Sequence, residues 1–444
     1  MWNVNTDGSN NNNNYRNTIG VRPAPMDKTS ESSYGENSVS IFKGSHIPSL
    51  YTAINTLRRC FPPFEVQSCH GVEPILRGNC MTFDEMCKFD VLYEAYKAAR
   101  RGKRCKQSEA QYEANVLQLT ERLSYLLRSG KYRPSNFEIF YVREPKLRLV
   151  QAPAFVDKVV QHAIVDNILY EAITHSFIQD NYASQLGKGT HYGLSRLREA
   201  MLSYFRHRKG IDEEIRRKQC LPMRPKNDWD YANGWVLKCD VRKFFASLDH
   251  GLVKAKLRER VEDDRIYELM CMYIDSTDGL PLGYQTSQLL ALLFLDEFDH
   301  FVKERLRVKY YGRYMDDFFL IHEDKEYLRY CLKEIRAYLA NLKLELNEKT
   351  AIFPLKNGID FLGFHTYLTE TGKVIMKLRR SSIKRMNSRL KMWAAAYPKG
   401  EVSKEDIVVS FKAWNAHAAH GNTYTLRMKY KKRVEQIIKE EIKL

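Results

Sequence analysis

The chain has 444 residues and a mass of 52.1 kDa, and 44% of its residues are hydrophobic, enough for a sizeable buried core and two or three domains. Its 71 Lys and Arg outnumber its 54 Asp and Glu, giving a formal charge of +17 and a pI near 9.3, so polyanions, nucleic acid first among them, are the expected partners. The composition excludes a wholly disordered protein. No apolar run approaches the roughly 20 residues of a membrane span and no signal-peptide core opens the chain, so no membrane association and a cytoplasmic location are expected.

Eight of the first seventeen residues are asparagine, and residues 1–45, rich in Asn, Ser and Gly, read as a disordered leader. The nine cysteines are scattered without a CxxC pair, which predicts reduced thiols. Cys69-His70, with Cys60 and Cys80 nearby, matches no zinc spacing. From Met81 to Gly130 apolar residues recur at three and four, predicting two helices that end at Gly130. EIFYVRE and KLRLVQAP alternate between bounding prolines and predict a hairpin. Helices are expected over 157–175 and 192–207, followed by a polar stretch to Trp229.

The centre changes character. GWVLKCDVRKFF reads as a strand ending near Asp240, KYYGRYMDDFFLIH as two short strands around Met315-Asp316-Asp317, and DFLGFHTYL as a further hairpin after Asn357-Gly358. DHGLVKAKLRERVED and TSQLLALLFLDEFDHFVKERL, between the first two, have helical spacing. The plan is α+β, with helices backing one face of an antiparallel sheet. Residues 366–444 read as mostly helical and carry 18 Lys/Arg against 7 Asp/Glu, so most of the surplus charge lies in the last fifth of the chain. A solvated helical surface is the alternative to a polyanion-binding one.

Asp240, Asp316 and Asp317 stand among neighbours that should be buried. A desolvated carboxylate without a counter-charge neutralises, so such a cluster makes sense chiefly as a cation site. Hard oxygen ligands select Mg²⁺ or Mn²⁺. If the Asp240 strand lies beside the 310–321 hairpin, the carboxylates converge where two cations about 4 Å apart bridge them, one activating a hydroxyl and one holding a triphosphate. That is the geometry of nucleotidyl transfer. An isolated Asp-Asp pair is otherwise an ordinary turn signal.

Tyr314-Met315-Asp316-Asp317 between apolar strands resembles the catalytic hairpin of reverse transcriptases, and DVRKFF resembles their first catalytic motif; the resemblance runs from about Lys146 to about Arg427. It implies a right-hand polymerase: N-terminal extension and fingers over 46–235, an antiparallel-sheet palm over 236–365 and a basic helical thumb over 366–444. It further implies that Asp240, Asp316 and Asp317 bind two Mg²⁺ ions with the Val241 carbonyl, and that Phe245 is a steric gate against a ribose 2′-hydroxyl. Lys146 and Arg148 then meet the incoming dNTP triphosphate, FLGF (Phe361, Leu362, Gly363 and Phe364) is the primer grip, and Lys349 is a general acid for pyrophosphate. For Lys146 and Arg148 a plain strand-surface charge, and for Lys349 a solvated loop lysine, are the alternatives. SFKAWNAHAAHGNTYTLRM resembles a thumb segment, where Trp414 and Tyr424 either stack on bases or pack in a core.

LGYQTSQ is similar to the corresponding segment of diversity-generating retroelement enzymes, with Leu282-Gly283 leading to Ser287-Gln288. Gly283 offers a backbone without Cβ where template and nucleotide pass, and Gln288 stands where related enzymes start a helix with proline. The resemblance implies copying of a template-repeat RNA into cDNA with errors at adenines, mutagenic retrohoming into a variable gene, and a small basic accessory variability protein as partner. Asparagine codons carry two adenines whose randomisation creates no stop, so residues 2–24 read as an in-frame template repeat and Met26 as an alternative start. A retron-type or phage-defence reverse transcriptase of ordinary fidelity, and a non-catalytic RNA-binding scaffold, are the competing readings.

Overall fold

In the computed structural model the described residues are 81–101, 107–142 and 147–442. The leader, the Cys60, Cys69, His70 and Cys80 group, and Lys146 lie outside them. The stretch read as two helices forms four: α1 (Phe83–Met86), α2 (Phe89–Arg100), α3 (Gln107–Ala114) and α4 (Val116–Arg128). At α1 the Thr82 hydroxyl accepts from the Glu85 N–H while the Glu85 carboxylate accepts from the Thr82 N–H, satisfying two end donors reciprocally. α2 buries Leu92, Ala95, Tyr96 and Ala99, one face at helical spacing, against α5 (Phe155–Ile164), where the Tyr96 and Phe155 rings meet edge to face.

Between these helices β1 (Glu138–Val142) and β2 (Arg148–Ala152) form the expected hairpin, with Val142 opposite Arg148. α5 continues through a widened turn at Val165–Leu169 into α6 (Tyr170–Thr174). α7 runs from Thr190 to Lys218, eleven residues beyond the expected end at 207. Its second half lacks apolar periodicity and is supported instead by pairs one turn apart, Lys209 with Glu213, Arg216 with Asp212 and Lys218 with Glu214.

Two antiparallel sheets follow. The first has the order β4-β5-β3-β6, from β3 (Trp235–Asp240), β4 (Tyr310–Tyr314), β5 (Asp317–His322) and β6 (Ala351–Pro354). β3 thus lies directly beside the 310–322 hairpin, with Asp240 opposite Asp317. Of the helices that follow β3, α8 (His250–Arg258), α9 (Asp264–Ile274) and α10 (Gln285–Phe294) pack on one another, α11 (Asp296–His300) meets the sheet through Phe298 and Asp299, and α12 (Lys325–Asn341) packs on β3, β5 and β6. Asp249, Asp263 and Asp324 cap α8, α9 and α12 through their side chains. Every residue of β4 is buried, and its outer edge is closed by the chain at 180–182, where Arg313 exchanges backbone bonds with Asp180 and Tyr182.

The second sheet is β7 (Ile359–Phe361), β8 (Phe364–Leu368) and β9 (Val374–Leu378). β8 crosses the 365/366 position at which a helical segment was expected to start, and β9 lies wholly beyond it. α13 (Arg380–Ala396), α14 (Lys404–Ala418) and α15 (Tyr424–Ile438) then complete the basic C-terminal region. Trp414 is buried between Phe411 and Tyr430, whereas Tyr424 is exposed. Among the described residues no helix is long and apolar enough to cross a membrane.

Candidate active site

The Asp240–Asp317 register brings the acidic residues of two separate strands to one end of the sheet. Asp316 lies in the two-residue turn between paired Tyr314 and Asp317, after Met315, whose φ of 57° is unusual for a side chain of that size. The Asp316 carbonyl accepts from the Val241 N–H at 3.1 Å, which ties the turn to the end of β3. Burial, reinforced by the charge of Asp240, pushes the Asp316 carboxyl up to about 6, against Arg148 and Lys238. A buried carboxyl facing a second acidic side chain suits a hard divalent cation.

Two of the three acidic residues hold partners of this chain. Asp240 accepts from Asn347 twice, at its carbonyl (2.7 Å) and at its side chain (3.1 Å). Asp317 pairs with Lys238, which shares a face of β3 with Asp240 and places its ammonium 4.9 Å from the centre of the Phe361 ring. Burial lowers the Lys238 ammonium to about 8. Among the described residues no three His, Cys, Asp or Glu side chains are already gathered as a metal cage. A cation would have to take Asp317 from Lys238 and Asp240 from Asn347. Sequence reading missed both residues, although Lys238 stands two places before Asp240 and therefore on its side of the strand.

Arg148, at the start of β2, feels both Asp240 and Asp316: burial lowers its guanidinium and the two carboxylates support it. The fingers hairpin thus reaches the triad. Phe245 lies in the turn Phe244–Ser247 immediately after β3, 7% exposed, its carbonyl bonded to the Leu280 N–H at 2.8 Å. Lys349 is exposed, and its N–H donates to the same Asn347 that holds Asp240.

Two sequence arguments change. Gly283 has φ 128°, and a Cβ there would lie 2.8 Å from the Gln151 carbonyl of β2, so the space is taken by this chain's own backbone. The Gln151 N–H donates to the Leu282 carbonyl at 3.0 Å, stitching the fingers hairpin to α10. Gln288 does not start its helix: α10 begins at Gln285, and the Gln288 side chain accepts from the Ser184 hydroxyl at 3.0 Å. Phe361, Leu362 and Phe364 are all buried, so the turn of FLGF offers its backbone, with Leu362 and Gly363 both at positive φ (47° and 87°).

Acidic residues from two strands at one end of an antiparallel sheet, with Arg148 of the β1–β2 hairpin close enough to feel Asp240 and Asp316, are the arrangement a nucleotidyl-transferring palm requires. Residues 143–366, half of the chain, match the family model described as "Reverse transcriptase (RNA-dependent DNA polymerase)", and the chain belongs to that family. Its enzyme class is RNA-directed DNA polymerase. It is similar to Protein YkfC of Escherichia coli K12, 25% identical over an alignment 287 residues long that covers 53% of this chain and 68% of YkfC. It is also similar to the group II intron-encoded protein LtrA of Lactococcus lactis subsp. cremoris, 23% identical over 51% of this chain and 36% of LtrA. Thus the chain spans about a third of LtrA. Among solved structures, telomerase from Candida albicans with a fragment of telomeric RNA superposes with a TM-score of 0.40 at 13% identity, over 70% of this chain and 56% of that one.

Proposed function

We propose that the chain copies a template-repeat RNA into cDNA with errors concentrated at adenines, as the polymerase of a diversity-generating retroelement. The observation that carries this reading is LGYQTSQ, with Gln288 in the first turn of α10 and anchored to Ser184. On this reading Asp240, Asp316 and Asp317, with the Val241 carbonyl, hold two Mg²⁺ or Mn²⁺ ions. Those ions would supply an acidified primer 3′-hydroxyl and a stabilised leaving pyrophosphate.

The protein's residues do the rest. Lys146 and Arg148 orient the dNTP triphosphate as paired cations. Phe245, rigid against Phe244, crowds the sugar edge and disfavours a 2′-hydroxyl. Gly283 and Gln288 border the nucleotide and template base, and a looser fit there lets a wrong base opposite adenine survive. The Phe361–Phe364 turn presents backbone to the primer end, and Lys349 lies beyond Asn347 for the pyrophosphate proton. The basic 366–444 region grips the RNA–cDNA duplex through its phosphates, and a small basic accessory protein joins the complex.

The test is sequencing of cDNA made by the purified chain with its adjacent RNA and accessory protein, counting misincorporation at each template base. A strong excess opposite adenine supports the proposal. Uniform low error moves the assignment to a retron-type or defence enzyme, and absence of cDNA in every condition supports the scaffold.

A further inference from the structure

The most deeply buried ion pair of the palm lies directly beneath the catalytic turn and belongs to none of the motifs. Arg313 of β4 and Asp299 of α11 are both 0% exposed. The guanidinium is bidentate: Nε donates to Asp299 Oδ1 at 2.7 Å and Nη2 to Oδ2 at 2.5 Å. The Tyr311 hydroxyl donates to Asp299 Oδ1 at 2.6 Å, and Nη2 also reaches the Leu295 carbonyl at 3.5 Å. Nη1 remains, and it donates to the Met315 carbonyl at 3.0 Å.

That bond falls on the peptide joining Met315 to Asp316. Met315 is held at φ 57°, a conformation that costs a non-glycine residue on the order of 1–3 kcal/mol and persists only where its surroundings impose it. The following carbonyl, of Asp316, is taken by the Val241 N–H. Asp316 is therefore fixed on both sides, by Arg313 before it and by the end of the Asp240 strand after it. The backbone of Arg313 is itself pinned between Asp180 and Tyr182 at 2.9 Å on each side. A frame bonded at so many points has little freedom to transmit error to the carboxylate it carries.

We propose that Arg313, oriented by Asp299 and Tyr311, is a positioning residue that sets the direction of the Asp316 carboxylate, and that the buried pair is kept for this and not for stability. The inference rests on the polymerase reading. Buried ion pairs replaced together by apolar side chains of similar volume commonly leave stability unchanged or raised, whereas removing one partner leaves an uncompensated charge. The two functions therefore separate in one variant.

The experiment compares wild type with Arg313→Met/Asp299→Leu for thermal unfolding, primer–template affinity, and kcat and KM for a single dNTP addition. The expected result is a folded variant with an unfolding midpoint near that of wild type, because loss of the ion pair's desolvation cost offsets the buried groups left without partners. Primer–template affinity is unchanged, and kcat falls about 10- to 100-fold with KM little moved, the size usual for groups that orient a catalytic ligand. Tyr311→Phe, which removes only a hydroxyl that steadies Asp299, gives a smaller loss in kcat alone. A stable double variant with wild-type kcat overturns the proposal. So does loss of folding in both the double variant and Asp299→Asn, since the pair would then carry the fold. Asp316→Ala run alongside separates the claims: if it extends primers as wild type does, the polymerase assignment itself has failed.

Discussion

Two two-residue hairpin turns of the molecule are secured in different ways. The β4–β5 turn and the β7–β8 turn each close with two residues, and each puts a large side chain in the left-handed region, Met315 at 57° and Leu362 at 47°. At the first, hydrogen bonds do the holding: the carbonyls of Met315 and Asp316 go to Arg313 and Val241. At the second, side-chain burial does most of it, beside a single bond from the Arg379 N–H to the Gly363 carbonyl at 3.2 Å. Leu362 fills the space a Cβ on Gly193 would need, Phe361 packs edge-on to Phe319 at 5.3 Å, and Phe364 lies 4.9 Å from the ring of His417. Hydrogen bonds are directional and apolar burial is not. On the proposed function the first turn must aim a carboxylate and the second only presents backbone, which matches the device each relies on most.

The largest expected effect tests the aimed turn. Asp316→Ala should lower primer extension about a thousand-fold or more, corresponding to several kcal/mol of lost transition-state stabilisation, with RNA binding retained because no phosphate contact is removed. Extension within tenfold of wild type would break the contrast at its first member. Next, Leu362→Ala removes a side chain that is 2% exposed and should destabilise by about 2–5 kcal/mol. Its signature in activity is a raised KM for primer with kcat at saturating primer nearly kept; the reverse split would show that the second turn also aims chemistry. A smaller change is expected at Phe245, which belongs to neither turn. Phe245→Ala should relax discrimination against ribonucleotides by about tenfold, read from competing dNTP and rNTP incorporation, because a steric block against one hydroxyl is worth only a few kcal/mol.

The first turn was legible in its acids and not in its supports. YMDD and DVRKFF announced the carboxylates, and alternating hydrophobicity announced β3, β4 and β5, because both signals are local. Arg313 is one residue before the YMDD motif and carries no local sign of its role; only the covering of β4 by the 180–182 segment and α11 shows that it points into the interior. Asn347 and Lys238 were missed for the same reason, since their partners lie on other elements. Gly283 was legible as a close approach, but that the missing Cβ makes room for the Gln151 carbonyl is visible only in the fold. The second half of α7 was misread as a polar connection because its order comes from charge pairs and not from an apolar face.

The smallest effect should appear at the packed turn alone. His417 sits over Phe364, close to His191, His420 and Arg385, and burial, with those positive neighbours, lowers its imidazole from 6.5 to about 4. The folded state therefore refuses a proton that the unfolded chain accepts. The stability this residue contributes is present above about pH 6.5 and is lost as pH falls from there toward 4. Acidification from pH 7 to pH 5 should thus raise the KM for primer and lower the unfolding midpoint. His417→Phe, which keeps a ring against Phe364 and cannot charge, should flatten both slopes. The β4–β5 turn has no histidine among its supports, so the Arg313→Met/Asp299→Leu variant should keep the wild-type slope in primer KM. If His417→Phe leaves the slope intact, the acid sensitivity lies elsewhere and packing at the second turn is insensitive to charge.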